Sequence, residues 1–237
     1  MIQAVLFDAV GTLIHLREPV GETYARVAGE HGRAVRAAAL QAAFPRVVRA
    51  MPPMVCTASD RRQVEECERA WWRTVVRSVF DVADATPQFD DFERFFERLF
   101  AHFATAAAWC CADGAAPALA ALRARGLHVG MVSNFDHRLP PLLDALGLAP
   151  LLEVVVLPAD AGAAKPDPRI FAYALGRLRV GAEASVYVGD DARDDIAGAR
   201  HAGLHAVDVT TLPDLRALES AIDEIEHAPV RRAPAAR

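Results

Sequence analysis

The stretch Ala4–Ile14, AVLFDAVGTLI, sets the reading of the whole chain. Four apolar residues run directly into Asp8, and Gly11-Thr12 follow. A short unbroken apolar run ending at turn residues predicts a buried strand of the kind found in parallel sheets. In open α/β sheets, ligands bind off the carboxyl ends of the strands. Asp8 is therefore expected at the edge where chemistry takes place. A carboxylate closing an apolar strand is costly without a cation nearby. On this stretch alone, a turn-capping Asp reads equally well.

Outward from this strand the periodicity changes. Between about 18 and 105 the apolar residues recur at helical spacing. Tyr24, Val27 and Ala28 mark a first helix stopped by Gly32, and 37–50 reads as a second, ended by Pro52-Pro53. A third covers 64–80, with Trp71, Trp72, Val75 and Val76. Phe92, Phe95, Phe96, Leu99, Phe100 and Phe103 form an i, i+3, i+4 stripe, a fourth helix whose aromatic face reads as core. An all-helical block thus separates the first strand from the rest.

From 115 onward helix and strand alternate. Helices are predicted at 116–125, 139–146, 168–178, 194–202 and 214–226, and strands at 127–133, 154–157, 185–188 and 205–209. Gly126, Gly147 and Gly203 stop three of these helices, and Asp167-Pro168 opens another. Repeated βα units predict a doubly wound, Rossmann-like parallel sheet with helices on both faces. The predicted division is a core domain of 1–15 and 109–227, an inserted helical domain of 16–108, and a disordered tail of 228–237.

Composition excludes several classes. A net charge of -5 gives no support to a nucleic-acid footprint, and no apolar run approaches a membrane span. The N-terminus enters the first strand directly, so no signal peptide is expected and the cytoplasm is the default location. Cys56, Cys67, Cys110 and Cys111 show no CxxC pair and no zinc-like spacing with His, and they read as reduced and structural. Of 26 basic residues a single one, Lys165, is lysine. A compact ammonium differs from a guanidinium fork in geometry and hydration, so that position draws attention.

Four predicted strands deliver polar residues to one edge: Asp8, Ser133-Asn134, the loop holding Lys165, and Asp190. Asp8 can act as a carboxylate nucleophile. Asp190, in the run Asp190, Asp191, Asp194, Asp195, can share a hard divalent cation with it. Ser133 can hold an anionic oxygen, and Lys165 can neutralise both nucleophile and anion.

The order and wording of these segments resemble the haloacid dehalogenase-like hydrolase superfamily. The matching stretches are LFDAVGTL at 6–13, MVSNFD at 131–136, AAKPDPRIF at 163–171 and VYVGDDARDDIAGARHAG at 186–203. The helical block sits where subfamily I carries its helical cap. The wording TLIHLREPVGETYA is similar to the branch of HAD-domain-containing protein 3 and its REG-2-like relatives. The resemblance implies that Asp8 takes up a phosphoryl group as an aspartyl phosphate. It implies that Thr12 and Ser133 bind the phosphate, that Asn134, also on the substrate side, lies beside the transferring group, and that Lys165 neutralises charge. Magnesium would lie on Asp8, the Val10 carbonyl and Asp190, with Asp195 orienting the metal waters or Lys165. A small phosphorylated or otherwise anionic substrate follows. Cap and core are expected to move about hinges near Leu16 and Ala112, and the oligomeric state is open.

One position departs from the family pattern. The second Asp of Asp-x-Asp-Gly-Thr, which in the family protonates the leaving oxygen and later activates the water, is Val10 here. General acid–base catalysis is typically worth about 10²–10⁴-fold. Three readings follow. The first is a phosphohydrolase that is slow, confined to good leaving groups, or supplied with another acid; His15 is the nearest in sequence. The second is a metal-independent 2-haloacid dehalogenase, against which Gly189-Asp190 argues. The third is a weakly catalytic or non-catalytic protein that binds a phospho-ligand or a partner. Phosphonoacetaldehyde hydrolysis needs a cap lysine, and 16–108 contains none. Arg26, Arg61, Arg62 and Trp71 are candidates for the cleft wall.

Overall fold

The computed structural model describes residues 1–83, 89 and 91–227. Strand β1 (Ala4–Phe7) leads through a tight loop to β2 (Ile14–Leu16), and four helices follow: α1 (Val20–Glu30), α2 (Ala37–Ala50), α3 (Arg61–Val82) and α4 (Phe92–Phe103). The chain returns through β3 (Trp109–Cys111). It continues as α5 (Ala115–Ala124), β4 (His128–Val132), α6 (Leu139–Ala145), β5 (Val154–Val156), the single turn α7 (Pro158–Ala161) and α8 (Pro168–Leu178). Then come β6 (Ser185–Gly189), a π-helical turn (Ala192–Ala197) running into α9 (Gly198–His201), β7 (His205–Asp208) and α10 (Leu218–His227). The predicted tail at 228–237 lies outside the described residues.

The main sheet is parallel, with strand order β5-β4-β1-β6-β7. The first strand is its centre, as its continuous apolar run implies. Side chains alternate across the sheet. Val5, Phe7, Val129, Met131, Val186 and Val188 join one buried cluster with residues of α5, α6 and α10. Leu6, Val132 and Tyr187 join another with residues of α8 and α9. The helices α1–α4 close on a third cluster of their own, built on Tyr24, Val27, Leu40, Val75, Phe80 and the Phe stripe. Among the described residues no helix is long and apolar enough to cross a membrane.

Two features were not predicted. The chain leaves for the helical block at Leu16 and returns at Trp109, and these passages pair antiparallel, with Ile14 opposite Cys111 and Leu16 opposite Trp109. Three-residue strands leave too little periodicity to read from sequence. The second feature corrects the reading of the cysteines. Cys56 and Cys67 form a disulfide, their Cα atoms 5.9 Å apart. The segment after α2 folds back along the first turns of α3 and buries Met54 and Cys56. That proximity is tertiary, so no short motif announces it. Cys110 and Cys111 are free thiols.

Candidate active site

Asp8 immediately follows β1, and its N–H donates to the Val188 carbonyl at 2.9 Å, continuing the pairing with β6 past the strand end. Its side chain is buried and meets Lys165, whose Nζ donates to Asp8 Oδ1 at 2.6 Å. The same ammonium donates to Asp195 Oδ1 at 2.5 Å and to the Tyr187 hydroxyl at 2.9 Å. Three acceptors thus surround three N–H donors on a largely buried ammonium. The long loop after β5 reaches this point because Asn134 grips its main chain. Asn134 Nδ2 donates to the Lys165 carbonyl at 3.0 Å, and Lys165 N donates to Asn134 Oδ1 at 2.7 Å. The Asn134 amide therefore positions Lys165, while Asn134 itself also lines the cavity.

Asp195 is brought in by the π turn, a widened coil that is frequent at functional sites. Its Oδ2 accepts from the N–H groups of Asp190 and Asp191 at 3.1 and 3.0 Å. Gly189 makes the approach possible, since a Cβ there would overlap the Asp195 carboxylate. Gly11 does the same on the other side. Its φ of +93° suits glycine, and a Cβ there would overlap the Asp190 carboxylate.

Acids outnumber bases here, and this shifts their proton affinities. Burial, reinforced by the Asp195 charge and opposed by Lys165, pushes Asp8 up to about 6. Burial and then Asp195 also raise Asp190. Burial works against the Lys165 ammonium, but Asp8 and Asp195 outweigh it and hold its pKa above the usual lysine range. Carboxyl oxygens of Asp8, Asp190 and Asp195 lie within 4.8 Å of one another, a donor set that could hold a metal ion. Both Asp195 oxygens already accept hydrogen bonds from protein donors. Asp8 and Asp190 are the better ligands, and oxygen-only carboxylate donors suit a hard cation such as magnesium.

Asp8, Val10, Ser133, Asn134, Lys165, Asp190 and Asp195 all line one cavity of about 370 Å3. Ser133 Oγ accepts a 3.4 Å bond from Phe135 N, leaving its own proton to donate. Thr12 does not line the cavity; it is buried beside it with its hydroxyl unpartnered. The other cleft candidates are elsewhere. His15 is exposed on β2, because alternation turns Ile14 inward instead. Arg26 pairs with Glu18 and Glu30, Arg61 with Glu65 and Arg62 with Glu66, while Trp71 donates to the Pro52 carbonyl.

Sequence reading missed a second polar group beside the site. Asp136 is fully buried; it accepts from Arg138 Nε at 2.8 Å and Nη2 at 2.5 Å, and from Trp72 Nε1 of α3 at 2.6 Å. Glu68, also on α3, accepts from His137 N at 3.1 Å and meets its Nδ1 at 2.5 Å. The run Asp136-His137-Arg138, one residue after Ser133-Asn134, was the available signal. It shows its purpose only when α3 is folded over it.

Known proteins point in the same direction. The model of the family described as haloacid dehalogenase-like hydrolase matches residues 2–203. The mouse (Mus musculus) haloacid dehalogenase-like hydrolase domain-containing protein 3 is 34% identical over 205 residues, covering 86% of this chain and 80% of its own. Among solved structures, a HAD phosphatase from Thermococcus onnurineus aligns with a TM-score of 0.61 at 23% identity, over 93% of this chain and 98% of that one. A 2-haloacid dehalogenase from Pseudomonas syringae pv. Tomato DC3000 aligns at 0.62 and 25% identity, over 95% and 100%.

Proposed function

The chain belongs to the haloacid dehalogenase-like hydrolase family, and from that premise we propose that it is a magnesium-dependent phosphohydrolase acting through an aspartyl phosphate on Asp8. The observation that carries this reading is Asp190. Its carboxylate stands beside Asp8 at the mouth of a site already overloaded with negative charge. A hydrolase without a metal gains nothing from that second acid.

An Asp8 oxygen attacks phosphorus, and the ester oxygen departs with its electron pair. Water then attacks the same phosphorus, releasing phosphate and restoring the Asp8 carboxylate. Asp8, Asp190 and the Val10 carbonyl would hold magnesium, which supplies charge neutralisation for the phosphate oxygens. Lys165 holds Asp8 in position and offsets charge at the attacking oxygen. Asp195 and Asn134 fix Lys165 from two sides. Ser133 offers a hydroxyl proton to a phosphate oxygen, and Thr12 is a further candidate on its unpartnered hydroxyl. Residues 16–108 act as a cap in this reading, closing over the site and excluding water. A cytoplasmic setting belongs to the same proposal, and the Cys56–Cys67 disulfide weighs against it.

Val10 favours a second reading, a 2-haloacid dehalogenase, because halide leaves without a proton. One experiment separates the two. Hydrolysis of p-nitrophenyl phosphate is measured with magnesium and with chelator, beside chloride release from L-2-chloropropionate. Magnesium-dependent phosphate release supports the phosphohydrolase. Chloride release indifferent to chelator replaces it with the dehalogenase. Silence on both substrates leaves a binding role.

A further inference from the structure

The cavity that opens at Asp8 does not end there. It continues between the helices of the 16–108 block, where Tyr24, Phe44, Trp72, Phe96, Phe100 and Phe103 form much of its wall. Its volume, about 370 Å3, falls within the roughly 300–1,000 Å3 of small-molecule sites. Apart from Lys165, the cation lining this cavity among the described residues is Arg138, and its charge is paired with Asp136. Asp136 takes its Nε and Nη2, the Phe100 carbonyl takes Nη1 at 3.3 Å, and its guanidinium carbon lies 3.8 Å from the centre of the Phe100 ring. The indole N–H groups of Trp72 and Trp109 are likewise committed, to Asp136 and to the Phe103 carbonyl.

Tyr24, 2% exposed, brings a phenol side chain to this lining. Burial raises its pKa, so it stays protonated and able to donate. At the other end, Val10 also faces the cavity and offers no proton to a leaving oxygen. A second anionic group on the substrate would be desolvated here without a counter-charge, which is strongly unfavourable.

We propose that the substrate is an aryl phosphate, a monoester whose leaving group is an uncharged aromatic body seated among the α1–α4 rings. The proposal rests on the phosphohydrolase reading and adds the substrate class. The apolar wall binds the ring, Tyr24 supplies a hydrogen bond, and the shortage of free cations rejects carboxylated and doubly phosphorylated metabolites. The chemistry fits Val10: the P–O bond breaks with its electron pair on the aryl oxygen, which leaves as a stabilised phenolate and takes its proton from solvent. For the first step a nucleophilic Asp8 therefore suffices without a general acid; in the second, water attacks the phosphorus and releases its proton to solvent as the P–O bond to Asp8 breaks.

The test compares full-length protein on 1-naphthyl phosphate, 4-carboxyphenyl phosphate and acetyl phosphate. Acetyl phosphate also needs no acid but lacks the ring. The expected result is a kcat/KM for 1-naphthyl phosphate at least about 100-fold above the other two, the equivalent of roughly 2.7 kcal/mol of apolar contact. Val48→Phe, which narrows the cavity, should lower that ratio about tenfold. Equal turnover of acetyl or carboxyphenyl phosphate overturns the substrate class while leaving the phosphohydrolase intact. Binding is read independently by the fluorescence of Trp72 and Trp109. Tight, selective quenching by 1-naphthyl phosphate without any turnover would keep the ring site and remove the hydrolysis. No selective quenching and no preference in rate would remove the aryl site.

Discussion

Lys165 Nζ lies 2.6 Å from Asp8 Oδ1, with both side chains buried and the two residues 157 positions apart in sequence. The contact ties the end of the central strand to a loop that leaves the sheet at its edge. An ion pair this deep is a weak source of net stability, because desolvating two charges offsets most of their attraction. Its value lies in placing a carboxylate and a cation at a fixed point on the strand ends.

Asp8→Asn is expected to abolish turnover, since the amide cannot form the phosphoryl ester. Lys165→Arg should lower kcat by at least about 10²–10³-fold, because a planar fork cannot meet Asp8, Tyr187 and Asp195 as the ammonium does. Lys165→Met leaves two buried carboxylates facing each other and should destabilise the fold by about 3–5 kcal/mol. Steady-state kinetics and thermal melts read these effects. An active Lys165→Arg enzyme would make the uniqueness of this lysine accidental.

Val10→Asp restores a proton donor at a position that can accept one. Val10 is 37% exposed and lines the cavity, so a carboxylate there is not stranded in an apolar core. Esters with poor leaving groups should gain up to about 10²–10⁴-fold in kcat, with little change for p-nitrophenyl phosphate. The diagnostic is the slope of log kcat against leaving-group pKa, which should flatten. An unchanged slope would show that the missing acid is not what limits the enzyme.

Gly11→Ala tests the metal site without replacing a ligand side chain. Its Cβ would strike the Asp190 carboxylate, and its φ of +93° is strained for alanine. Asp190 must then move away from Asp8. The magnesium concentration giving half-maximal rate should rise at least about tenfold, with Asp190→Asn as the reference loss. Magnesium dependence equal to the wild type would detach Asp190 from the metal.

Much of this was readable in the sequence, for identifiable reasons. The AVLF run, the βα alternation and the Phe stripe each carry a period that a single element imposes, and each became the predicted element. The strand-end residues Asp8, Ser133, Asn134, Lys165, Asp190 and Asp195 converge because parallel topology dictates it. What stayed hidden depends on contacts between distant segments. Tyr187 looked like one more apolar strand residue, yet its hydroxyl accepts from Lys165 and donates to the Val132 carbonyl at 2.7 Å. Asn134 also holds the Lys165 loop, a task its sequence context does not announce. The Cys56–Cys67 bridge and the link from Glu68 to His137 exist only because α3 lies where it does.

That last link gives the protein a pH response. The hydrogen bond to Glu68 raises the pKa of His137 above its ordinary 6.5, against a smaller opposing effect of burial, with the charges of Asp136 and Glu65 adding to it. A group whose pKa is raised on folding contributes stability that is complete below its unfolded value. That contribution is lost as pH climbs through the folded value. The contact should therefore weaken from about pH 6.5 upward, and with it the attachment of α3 to the segment after β4. For a partly buried pair the loss is about 1 kcal/mol, or roughly 2–4 °C in Tm for a chain of this size. Glu68→Gln keeps a hydrogen-bond acceptor without the charge, and His137→Asn removes the titrating ring. Both should reduce the fall in Tm between pH 6.5 and 8.5 relative to wild type. If both variants kept the wild-type slope, the titration of His137 would have no part in the stability of this contact.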